Sequence, residues 1–139
     1  MTVYAVAMKL AVTIKKGSAV PIYAQLSEQI RLLIHRGALA AGDSMPTVRS
    51  LAVELGINAN TVARVYRDLQ RDELLRLERG VGTFVADSGD SHAVDESDFQ
   101  LIADKASELI DLGRSAGLRV GELTQLVETL WKEKADVPR

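Results

Sequence analysis

The stretch from Thr47 to Asp72 constrains this chain most, because it specifies two helices and the turn that joins them. Val48, Leu51, Ala52 and Leu55 recur at helical spacing directly after Thr47. A threonine there makes a good N-cap, since its hydroxyl accepts from backbone amides that the first helical turn leaves free. Gly56 can take the left-handed conformation that ends a helix. Ile57 can plug the turn, and Asn58 is a second N-cap. A longer helix then runs to about Asp72. At about 100° per residue, Val62, Val65, Tyr66 and Leu69 fall on one side. Asn60, Arg64, Arg67 and Arg71 fall in a narrow stripe on the other. One face is suited to a core; the other presents an amide and three guanidiniums.

A short helix, a glycine turn and a longer helix follow the helix-turn-helix order. Asparagine can pair bidentately with adenine, and arginine with guanine or phosphate. The N-terminal residues of such a second helix are the ones that reach base edges. Asn58, Ala59, Asn60 and Arg64 are therefore the base-reading candidates, while Arg67 and Arg71 meet phosphate or solvent. The competing reading is an ordinary amphipathic helix with a solvated polar face.

The flanking segments complete a winged arrangement. Ile22, Leu26, Ile30 and Leu33 mark a helix from about Ile22 to Arg36, opened by Pro21 and closed by Gly37. Residues 40–46 read as a loop. Leu74–Glu78, Arg79–Gly82 and Thr83–Ala86 read as strand, glycine turn and strand. Arg79 stands at the hairpin tip, where it can enter a minor groove or touch phosphate, and Gly80 lets the backbone come close to DNA. The Gly-x-Gly here is no nucleotide cradle, because it does not follow a strand and open a helix.

Outside residues 21–86 the chain changes character. Residues 1–20 form an extension with a short strand expected at Leu10–Ile14; they carry three lysines and no acidic residue. Its first fourteen residues are mostly apolar but too short to span a membrane, and they lack a signal peptide's charged start and cleavage site. Met8 is a second possible start. Residues 21–86 carry eight arginines against seven acids, whereas 87–139 carry six bases against twelve acids. The net charge of −2 is thus concentrated away from the arginine stripe. With no cysteine, disulfides and thiolate chemistry are excluded. Residues 87–96 read as a linker. Helices from about Ser97 to Ser115 and Gly121 to Lys134 follow, the second with a poor N-cap in Arg119. Phe99, Ile102, Leu109, Leu123, Leu126, Leu130 and Trp131 are apolar residues that a lone helix pair cannot bury, so residues 97–139 are read as a dimerisation tail. The expected fold class is mainly α with a small β-hairpin: a winged helix-turn-helix followed by a two-helix dimerisation tail.

Four runs, Pro21-Ile-Tyr-Ala-Gln-Leu, Gly42-Asp-Ser-Met-Pro-Thr-Val-Arg-Ser-Leu-Ala, Leu55-Gly-Ile-Asn-Ala-Asn-Thr-Val and Arg79-Gly-Val-Gly-Thr-Phe-Val, resemble the GntR family of bacterial transcription regulators. The resemblance implies a winged helix-turn-helix domain and a homodimer on a palindromic operator. It implies that Arg49 touches phosphate and that Gly80 is the wing-tip glycine. Thr47 and Thr61 join Arg49, Asn58, Ala59, Asn60, Arg64, Arg67, Arg79 and Gly80 in the expected DNA-binding set. Many members have arginine where Ala59 and Ala63 stand here, so the operator core of the larger subfamilies is not expected. The run from Asn58 to Tyr66, and the short tail, are similar to the YtrA-type branch. Repression and an unidentified small-molecule effector follow by the same analogy.

Two rival classes are less well supported. His35 and His92 are the only histidines, and neither has neighbours at metal-ligand or triad spacing. Asp95, Glu96 and Asp98 sit where acidic residues favour a helix start. No catalytic residue, metal or cofactor is therefore expected, and no membrane partner; a cytoplasmic location fits. The second rival is a protein-interaction module without specific DNA binding, against which the arginine stripe argues.

Overall fold

The computed structural model describes residues 10–87 and 94–136. Met8, His92, linker residues 88–93 and residues 137–139 lie outside the described residues. The chain divides into two compact units, Met1–Asp95 and Glu96–Arg139.

In the first unit, proline opens one helix, and side-chain acceptors open the two that follow. Helix α1, Ile22–His35, starts directly after Pro21. Helix α2, Val48–Leu55, is opened by Thr47, whose hydroxyl oxygen accepts the Ser50 N–H at 3.0 Å. Gly56 ends it at φ +64, and the Ile57 N–H then donates to the Ala52 carbonyl at 3.0 Å. Helix α3, Ala59–Arg71, is opened by Asn58, whose side-chain oxygen accepts the Asn60 N–H at 2.8 Å. Strands β1, Leu75–Glu78, and β2, Gly82–Val85, pair antiparallel with Arg76 opposite Phe84.

The periodic apolar residues meet in one core. Leu26, Ile30 and Ile34 come from α1, Leu51, Ala52 and Leu55 from α2, and Val62, Val65, Tyr66 and Leu69 from α3. Leu74, Leu75 and Val85 close it from the hairpin. Burying each large aliphatic side chain contributes about 1.5–3 kcal/mol, so this cluster is what orients α3. Arg31 and Asp72 form an ion pair that ties α1 to the end of α3. The arginine also holds the Asp72 carboxyl below its usual ionisation range.

Three segments differ from the sequence reading. The strand expected at Leu10–Ile14 is not part of a ladder. The segment is extended and buries Leu10 and Val12, but its backbone partner is a side chain. Gln29 accepts the Thr13 N–H at 3.0 Å and donates to the Thr13 carbonyl at 2.8 Å. The expected loop at 40–46 does carry a strand-like pairing. Gly42 and Met45 donate to the carbonyls of Val85 and Thr83 at 2.8 and 2.7 Å, and the Val85 N–H returns to Asp43 at 2.8 Å. The wing is therefore bordered by a third backbone segment that leads straight into α2. Finally, α3 ends through a left-handed residue that is not glycine, Glu73 at φ +62.

In the second unit, α4 spans Glu96–Ser115 and α5 Val120–Ala135. Arginine has no acceptor, so Arg119 cannot cap α5 with its side chain. Glu122 compensates by accepting the Arg119 N–H at 3.0 Å. The helices touch at an elbow where a Cβ on Gly113 would lie 3.2 Å from a Leu123 methyl. Among the described residues of this unit only Gly113 is buried.

Candidate nucleic-acid interface

Burial of Val62, Val65, Tyr66 and Leu69 forces the opposite face of α3 outward. Asn60, Arg64 and Arg67 are exposed on it, Ala59 is exposed at its start, and Thr61 is half-buried. Asn58 already spends its side-chain oxygen on the Asn60 N–H, which leaves its amide hydrogens to donate. Thr47 is likewise engaged within α2, accepting from the Ser50 backbone and donating to the Ser50 hydroxyl at 2.9 Å. Both residues shape the helix starts. Tyr66 adds a tie between the two helices: its hydroxyl donates to the Pro46 carbonyl at 2.8 Å, one residue before the α2 cap.

The arginines separate by their partners. Arg49, Arg67 and Arg79 have no carboxylate partner among the described residues, and all three are exposed. Arg71 differs: Asp68 and Asp72 lie 3.3 and 3.7 Å from it. Its side chain is nonetheless 71% exposed, so it stands in solvent with two carboxylates beside it. Arg64 lies over the ring of Tyr23, 4.0 Å from the centroid, so its guanidinium is ordered against α1.

The wing presents Arg79 and Gly80 at its tip. The Val81 N–H donates to the Glu78 carbonyl at 3.0 Å, and Gly80 takes φ +78 within this turn. A Cβ on Gly80 would meet nothing within 4 Å, so backbone conformation rather than crowding requires the glycine. On the strand behind the tip, Arg76 pairs with Glu78 and stacks over Phe84, 4.8 Å from the ring centroid.

The sequence reading missed Tyr23, Gln25 and Gln29. The two glutamines stand one helical turn apart on α1, beside an alternating apolar segment. That combination is the one signal in the sequence that could have pointed to the clamp on residues 10–15. Tyr23 lay inside the Pro21–Leu26 run, with nothing local to show that it meets Arg64, 41 positions away.

Comparison with known proteins agrees with this arrangement. Residues 22–85 match the family described as bacterial regulatory proteins, gntR family. Over 126 residues the chain is 32% identical to the HTH-type transcriptional repressor YtrA of Bacillus subtilis (strain 168), spanning 91% of this chain and 94% of that protein. A crystal structure of a transcriptional antiterminator from Listeria monocytogenes EGD-e superimposes with TM-score 0.54 at 29% identity, covering 85% of this chain and 87% of that one. YtrA from Sulfolobus acidocaldarius, a GntR-family transcription factor, superimposes with TM-score 0.52 at 30% identity, covering 70% and 97%. With its winged helix-turn-helix, its exposed arginine and asparagine face and near full-length similarity to such a repressor, the chain belongs to the GntR family and is a DNA-binding transcription regulator.

Proposed function

We propose that this regulator represses transcription by binding a palindromic operator as a homodimer in the cytoplasm. Residues 21–86 form the DNA-binding domain, 87–96 the linker and 97–139 the dimerisation tail. The observation that carries this reading is the α3 face, where Asn60, Arg64 and Arg67 stand exposed opposite a fully buried stripe. Asn60 and Arg64 read base edges, with Asn58 and Ala59 beside them at the helix start. Thr47 and Thr61 border the same contact surface. Arg49, Arg67 and the wing residues Arg79 and Gly80 meet the backbone or the adjacent groove.

The tail supports the dimer. Ile102, Leu109, Leu126, Leu130 and Trp131 remain 59%, 38%, 44%, 44% and 77% exposed. Such a face calls for a partner, and a second copy of the same helices provides one with two-fold symmetry. Phe99 is half-buried, and Leu123 packs at the elbow against Gly113 while forming the edge of the same face. The elbow hollow, about 280 Å³ between Ile110, Gly113, Arg114, Leu118, Arg119 and Leu123, is the place this reading assigns to a small-molecule effector. The description of the B. subtilis relative as a repressor supports repression. No helix among the described residues is long and apolar enough to cross a membrane.

Selection of bound sequences from a random duplex pool tests the proposal. The full chain should enrich an inverted repeat whose half-sites lie about one helical turn, or a multiple, apart. A pool that stays unpatterned after repeated rounds would contradict it.

A further inference from the structure

The basic N-terminal segment has no part in the reading above. Lys15 and Lys16 stand in an exposed turn between the half-buried Ile14 and the exposed Pro21. This turn is built. The Ser18 N–H donates to the Lys15 carbonyl at 3.3 Å, and the Val20 N–H donates to the Ser18 hydroxyl at 3.1 Å. Gln25 closes it from α1, accepting the Lys15 N–H at 2.8 Å and donating to the Lys15 and Val20 carbonyls at 3.1 and 2.9 Å. With Gln29 on Thr13, both glutamines of α1 are spent on fixing this one segment. The framework docks the buried Leu10 and Val12 and, in doing so, holds the two lysines at a defined place on the surface.

The turn is fixed at a particular place. Lys16 Nζ overhangs Gly56, where an added Cβ would lie 2.8 Å from it. Gly56 is the residue that ends α2 and leads to the Asn58 cap of the recognition helix. Neither lysine has a carboxylate partner among the described residues. The wing strand β2 is tied to the start of α2, through Met45 and Thr83 at 2.7 Å, whereas the lysine turn sits at its end. An eight-residue helix separates the two by about 12 Å. The lysine turn thus stands at the α2 end from which α3 starts, with Lys16 Nζ over Gly56, two residues before the Asn58 cap.

We propose that the Lys15–Ser18 turn is a further DNA-contacting element that neutralises backbone phosphates beside the recognition helix, with Gln25 as its positioning residue. This rests on the DNA-binding reading and extends it to a segment with no assigned role. Lysine is a compact, hydrated point charge, so the turn adds affinity without sequence preference. The structural alternative is that Lys16 only places a favourable cation at the negative end of α2.

The two separate in one experiment on the full chain, using sheared duplex DNA of mixed sequence and the duplexes enriched by selection. Affinity is measured by fluorescence anisotropy from about 50 to 200 mM salt. Each phosphate neutralised steepens the salt dependence by about 0.9, so the double substitution Lys15→Ala, Lys16→Ala should flatten it by about two. Across that range the wild type should lose about tenfold more affinity than the double variant. The loss should be uniform over sequences, with the enriched motif unchanged. The pair Lys15→Arg, Lys16→Arg should keep the wild-type slope, and Gln25→Ala should reproduce part of the flattening with both lysines present. An unchanged slope in the double variant overturns the proposal, and a lowered melting temperature alongside it assigns Lys16 to helix stability alone. Failure of the wild type to bind duplex DNA at any salt would overturn the underlying reading as well.

Discussion

Tyr66 puts its ring into the core and its hydroxyl on the Pro46 carbonyl, 2.8 Å away. Burial pushes its ionisation well above the usual phenol range, so it remains a donor throughout the physiological pH range. Tyr66→Phe keeps the ring and orphans the carbonyl, which should cost about 1–2 kcal/mol in chemical denaturation. No loss would show that the carbonyl finds another partner. Tyr23 acts at the other side of α3, under Arg64 at 4.0 Å. Such a stack is worth about 0.5–1 kcal/mol at an exposed site, and it orders a side chain that DNA would otherwise have to order. Tyr23→Ala should therefore weaken binding to the selected duplex about two- to fivefold, while Tyr23→Phe, which keeps the ring face, should bind as the wild type does. Tighter binding by Tyr23→Ala would instead mean that the stack holds Arg64 back.

At the scale of elements, what was legible in the sequence was local. The caps Thr47 and Asn58, the stop at Gly56 and the stripe Val62, Val65, Tyr66 and Leu69 depend on neighbours within a few positions, and all are where the sequence places them. What escaped depends on partners distant in sequence. Residues 42–45 become strand-like because Thr83 and Val85 come alongside, and residues 10–15 are held extended by Gln25, Gln29 and the burial of Leu10 and Val12. The end of α3 escaped for another reason. Leu74 donates to the Leu69 carbonyl at 2.8 Å, a closure that places the preceding residue at positive φ, and here that residue is Glu73 rather than glycine. Left-handed backbone costs a side-chain-bearing residue about 1–2 kcal/mol, partly offset by the entropy glycine loses on folding. Glu73→Gly should thus be more stable than Glu73→Ala by about 1 kcal/mol in thermal or urea unfolding. Comparing these two variants removes any contribution of the Glu73 side chain. Equal stabilities would show that the turn carries no strain.

At the scale of the molecule, the two units divide the work. The first buries its own core, whereas the second leaves Ile102, Leu126, Leu130 and Trp131 exposed. A chain ending at Asp95 should therefore remain folded yet become monomeric by light scattering, and it should lose the affinity that two linked half-site contacts provide. A truncated dimer would move the interface out of the tail. The apolar stripes of α4 and α5 were plain in the sequence, but what covers them was not, because a partner from outside the chain leaves no local signal in it. Recognition and symmetry meet in one substitution, since a dimer carries it twice. Repeating the duplex selection with Asn60→Ala should give an inverted repeat that has lost its preference at one base pair in each half-site, at the same distance from the centre. On the wild-type sequence this should cost about 1–3 kcal/mol per contact. An enriched motif identical to that of the wild type would contradict the assignment of this face to base reading.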